Sequence, residues 1–142
     1  MSNRALVLLL LVGCGPGVTS TNVSKDDIVE EDPDEDPPVI VHDAITDTQV
    51  FGADVPISAT VTDEGSGVLF VYLHYRNEID SDAWEQAIMV SSGEDTYSGT
   101  IRGEDERGAG VNYYLEAVDK EQNFSYAPDD GESDPYHIRL AE

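Results

Sequence analysis

The chain has 142 residues, with 30 acidic side chains against 7 basic ones and a formal net charge of −23. That length suits one domain, at ~100–200 residues per domain. The charge argues against nucleic-acid binding, which rests on Lys and Arg neutralising phosphates, and against docking on anionic lipid heads, which needs basic clusters.

The chain opens MSNRALVLLLLVGC, with Arg4 as its only charge and an apolar run from Ala5 to Val12. The run has the length of a signal-peptide core and is far below the ~20 residues that span a bilayer. Leu11-Val12-Gly13-Cys14 at its end resembles the bacterial lipobox. That resemblance implies a signal peptide over residues 1–13, cleavage before Cys14 and acylation of Cys14. The expected product is an exported lipoprotein anchored to the cell membrane or outer membrane. Cys14 is the sole cysteine, and an unpaired cysteine is a liability in an exported protein unless modified. The alternative is a plain secretory signal with an accidental cysteine.

Residues 15–38 are small and polar at first; from Lys25 onward they hold eight acids, one Lys and three prolines. Such a stretch cannot bury enough apolar surface to offset its ordering entropy. Residues 14–38 are therefore expected to form a disordered acidic tether, with a maximal reach of roughly 75–85 Å. Asp32, Asp34, Glu35 and Asp36 on it are weak candidates for divalent cations.

From residue 39 to 142 the pattern is that of strands. Val55, Ile57, Ala59 and Val61 alternate with polar residues. Leu69, Val71, Leu73 and Tyr75 alternate with Phe70, Tyr72 and His74, and Val111, Tyr113, Leu115 and Ala117 with Asn112, Tyr114 and Glu116. Shorter runs lie at 97–101 and 136–140, and less regular ones at 39–45 and 84–90. Only Ser81 to Glu85 suggests a helical turn. Seven short strands predict an all-β, antiparallel sandwich. The segment Val111-Asn-Tyr-Tyr-Leu-Glu-Ala-Val-Asp-Lys-Glu-Gln-Asn123 resembles the penultimate strand and turn of bacterial fibronectin type III and immunoglobulin-like domains. Gln122 stands where that pattern usually has Gly. The resemblance implies a seven-stranded sandwich over residues 39–142, but such domains serve many functions.

The same topology places the strands at 68–76, 111–119 and 136–141 side by side. Leu69 and its alternates then face inward, while Phe70, Tyr72, His74, Tyr114, Glu116 and His137 face out. Exposed aromatics suit a protein or glycan partner; the plainer reading is cross-strand pairing. His74, Glu116 and His137 lack the close spacing of a zinc site. His42 stands alone and is expected to be merely exposed. At one pole the 63–67 and 119–135 loops bring together Asp63, Glu64, Asp119, Glu121, Asn123, Asp129 and Asp130, an oxygen-rich set that suits calcium. The alternative is a solvated acidic surface or adaptation to high salt. No nucleophile elbow, phosphate loop or HExxH motif is present, so no enzymatic activity is expected. The sequence thus predicts a non-catalytic envelope module that binds a protein or glycan through a sandwich face. The alternatives are a calcium-binding structural or adhesion module and a passive spacer.

Overall fold

The computed structural model describes residues 31–79 and 83–142. Residues 1–13, read above as a signal peptide, Cys14, most of the expected tether and Ser81 lie outside the described residues. Residues 33–142 make one compact unit, so the last residues assigned to the tether belong with the strands.

Among the described residues ten strands follow in order: β1 (Val39–Val41), β2 (Gln49–Val50), β3 (Val55–Thr62), β4 (Val68–Asn77), β5 (Glu85–Ile88), β6 (Val90–Gly93), β7 (Thr96–Ile101), β8 (Gly110–Asp119), β9 (Phe124–Ala127) and β10 (Tyr136–Ala141). Short 3-10 turns occupy Gly103–Asp105 and Gly131–Ser133. They form two sheets, one ordered β1-β3-β7-β6 and the other β2-β10-β8-β4-β5, with β9 paired to β8. The expected neighbours β4, β8 and β10 are adjacent. Among the described residues no helix is long and apolar enough to cross a membrane.

The period-two pattern of the sequence becomes the core. Val55, Ile57, Ala59 and Val61 of β3 face Val71, Leu73 and Tyr75 of β4 and Val111, Tyr113, Leu115 and Ala117 of β8 within one buried cluster. Each side chain on the inward face gains the full benefit of leaving water, while its neighbours stay solvated.

Ten strands stand where seven are expected, for three local reasons. The run at 84–90 is split at Met89: β5 pairs with β4, whereas β6 pairs with β7 in the other sheet. Met89 itself is buried between them, and its N–H donates to the Val71 carbonyl at 2.8 Å. A tight turn after Asp119 folds β9 back onto β8. β2 is a two-residue pairing with β10, and it runs parallel, against the all-antiparallel expectation. The run at 39–45 supplies only the three residues of β1.

Leu69 does not face the core as expected. The β4–β8 register shifts between Val68 and Phe70, leaving Leu69 as the extra residue of a bulge, 44% exposed. A bulge flips the alternation on one side of itself, so Phe70 and Tyr72 keep their outward places.

Candidate functional site

One pole of the molecule is built from three chain segments that each carry an aspartate. Asp63 follows β3, and its carboxylate accepts from the N–H of Gly67 and, at 3.4 Å, from the Ser66 hydroxyl. Asp119 ends β8 and is wholly buried. Its two oxygens accept from the Asn123 backbone N–H and from the Asn123 side-chain amide, both at 2.8 Å. Asp34 lies five residues before β1. Its carboxylate accepts from the Ser66 N–H at 2.7 Å and the Asp36 N–H at 3.1 Å, and its carbonyl accepts from the Asn123 amide at 2.9 Å. The result is three carboxylates, each offering an oxygen within 4.8 Å of the others.

The local sequence explains why the segments meet. Gly67 takes a positive φ of 90° and lets the 63–67 loop return into β4. Its carbonyl accepts from the Lys120 N–H at 3.1 Å, joining this loop to the turn after β8. Gly65 matters for a different reason: a Cβ there would overlap the Asp34 carboxylate. The absence of a side chain at Gly65 therefore makes room for Asp34.

Asp34 and Asp119 are both held below the ordinary carboxylate range. Backbone N–H groups of Ser66 and Asp36 hold the Asp34 carboxyl below the ordinary range. Burial pushes the Asp119 carboxyl up, but hydrogen bonds from the backbone and side chain of Asn123 outweigh it, and the net direction is down. Three negative charges in one small volume repel each other, more so where one is removed from water. Chemically the cluster is a hard, oxygen-only donor set.

Of the oxygen-bearing residues expected at this pole, Asp63, Asp119 and Asn123 are brought together. Glu64, Glu121, Asp129 and Asp130 are outside the triad. Asp34 was expected only on the free tether. Nothing in the local sequence separates Asp34 from its acidic neighbours Asp32, Glu35 and Asp36.

The outward face of the six-stranded sheet is partly covered by the molecule itself. Tyr114 is only 7% exposed, against the expectation that it is presented to solvent. It stacks on His74 with ring centroids 4.5 Å apart, meets Trp84 edge-on at 4.9 Å and lies 6.2 Å from Tyr126. The Arg76 guanidinium sits 4.3 Å above the Trp84 ring, whose N–H donates to Glu132 at 3.0 Å. His74 Nε2 stands 3.4 Å from Glu116 Oε2. Its burial holds the ring's pKa down, partly offset by attraction to Glu116 and Glu132. His137 is exposed, with Nδ1 2.9 Å from the Asn112 amide oxygen. Phe70 and Tyr72 keep partly open positions on the same face.

His42, expected to be merely exposed, is half-buried and joins a chain of hydrogen bonds. Its Nδ1 lies 2.7 Å from the Ser58 carbonyl, so that nitrogen donates. Nε2 then accepts from the Tyr113 hydroxyl at 2.8 Å, and that hydroxyl accepts from the Ile45 N–H at 3.3 Å. Burial pushes the Tyr113 phenol up to about 12.

Comparison with protein families and with curated proteins finds no match for this chain.

Proposed function

We propose that this chain is a non-catalytic envelope module, lipid-anchored through Cys14, whose fibronectin III/immunoglobulin-like sandwich binds a calcium ion at the pole where the tether enters. The observation that carries the reading is the convergence of Asp34, Asp63 and Asp119. Each comes from a separate segment and each is oriented by hydrogen bonds, with one of them fully buried. Uncompensated, such a cluster opposes folding by mutual repulsion. A divalent cation converts that repulsion into cross-linking of three chain segments. Calcium suits it better than zinc because the donors are all oxygens, and better than magnesium, which takes one or two carboxylates and keeps several waters. The ion holds residues 33–38 against the 63–67 loop and the turn after β8. Its role is structural, fixing the tether's point of entry.

Thermal unfolding of the full chain in EDTA and then in millimolar calcium tests this. Saturation at ~100 times the dissociation constant adds about 2.7 kcal/mol, or roughly 10–20 °C. The shift is expected with calcium, not with magnesium, and is expected to be lost in Asp63→Asn. Gly65→Ala is the complementary variant, because it keeps every carboxylate and only displaces the Asp34 side chain; most of the shift is expected to vanish there too. An equal melting temperature with and without calcium in the wild-type chain would refute the calcium reading.

A further inference from the structure

The six-stranded sheet carries an open platform beside its covered aromatic cluster. Register places Phe70, Val118 and Phe124 in one cross-strand row, and Ile88, Tyr72, Glu116 and Tyr126 in the next. Phe70 is 41% exposed, Phe124 52%, Ile88 56% and Tyr126 40%. Phe124, Tyr126 and Ile88 escaped the sequence reading, because the first two lie on β9 and the last on the irregular run that became β5.

At the centre of the platform lies a carboxylate. Glu116 stands directly between Tyr72 and Tyr126 in the row. Among the described residues its one ion-pair neighbour is His74, and burial disfavours the charged form of that ring. A carboxylate with aromatic residues as its cross-strand neighbours is complementary to a cation. The ring faces attract positive charge through their quadrupoles while the carboxylate supplies the counter-charge. The molecule's net charge of −23 steers such a partner in and repels acidic ones.

From this charge complementarity we infer that the platform around Phe70, Phe124, Tyr126 and Glu116 docks a polypeptide segment that carries Lys or Arg among apolar residues. The apolar side chains cover Phe70 and Phe124, on either side of the buried Val118, while a cationic head reaches Glu116 between the two tyrosines.

Calorimetric titration of the full chain in detergent and EDTA, at about 0.15 M salt, tests this independently of the calcium pole. The probes are a synthetic decapeptide of alternating Lys and Leu, decalysine, and cellohexaose. The Lys–Leu peptide is expected to bind at least tenfold more tightly than decalysine. The double variant Phe70→Ser/Phe124→Ser, which leaves the charge unchanged, is expected to lose at least that factor. Both replaced side chains are substantially exposed, so the fold is expected to persist. Glu116→Gln, which leaves both rings in place, is expected to weaken binding several-fold. Equal affinity for decalysine and the Lys–Leu peptide would reduce the interaction to non-specific charge and overturn the inference. Unchanged binding in both variants would do the same, and preferential binding of cellohexaose would assign the face to a glycan instead.

Discussion

At Gln122 the backbone passes through the left-handed region, with φ of 69°. A Cβ makes that conformation costly, by about 1–2 kcal/mol, and the turn keeps it because Asp119 is tied to Asn123 at both ends. Gln122→Gly relieves the strain but loosens the unfolded chain, so the net gain is expected to be about 0.5–1 kcal/mol. A melting temperature raised by roughly 2–6 °C checks it; a lower one would mean that the Gln122 side chain makes a stabilising contact. The aspartates that end β3 and β8 were legible at this scale, since each directly follows an alternating apolar run and is carried to the same pole. Asp34 was not legible as a partner. What holds it is a hydrogen bond to a loop remote in sequence and the empty space over Gly65, neither of which leaves a mark in local periodicity. His42 was missed for the same reason, because its two partners, Ser58 and Tyr113, are distant in the chain.

At the scale of elements, alternation located the strands of both sheets, and its failures have identifiable causes. The bulge at Leu69 and the crossing at Met89 are one-residue events, and a period-two pattern cannot tell a bulge or a change of sheet from a continuous strand. The face of β4 and β8 was read correctly as outward, but its openness was not. Trp84, β9 and the turn at Gly131–Ser133 fold over Tyr114, and those pieces carry little pattern of their own. His74 between β4 and β8 makes this cover sensitive to pH. It faces Glu116 from β8, Gln86 from β5, the rings of Tyr72 and Tyr114, and the charge of Glu132. Its pKa is lower in the folded state than the ordinary 6.5. The unfolded chain therefore takes up this proton first as pH falls. The stabilisation is complete above about 6.5 and declines below it, at no more than ~1.4 kcal/mol per pH unit for one proton. Melting temperatures of wild type and His74→Gln between pH 7.5 and 5.0 are expected to diverge in that sense, with the variant less affected by acid. Parallel curves would exclude His74 as the source.

For the whole molecule, the balance of 30 acids against 7 bases sets the response to salt. Self-repulsion of so many like charges weakens the compact state, and raising ionic strength from 0.01 to 1 M shortens the screening length from ~30 to ~3 Å. The melting temperature in EDTA is expected to climb by several degrees over that range; a fall would show that attractive ion pairs dominate. The order of the segments has a mechanical meaning as well. The chain enters at the pole that holds Asp34, and β1 then lies antiparallel to β3, with Val39 beside Thr62 and Val41 beside Thr60. A pull on Pro33 away from that pole is directed along the axis of β1. Its pairs with β3 are then loaded together in shear, and they cannot be unzipped one after another. Asp34 lies ahead of them on the line of force, fastened to Ser66 and Asn123. Tension reaches this fastening first, so the pole serves as a strain relief for the edge of the sheet.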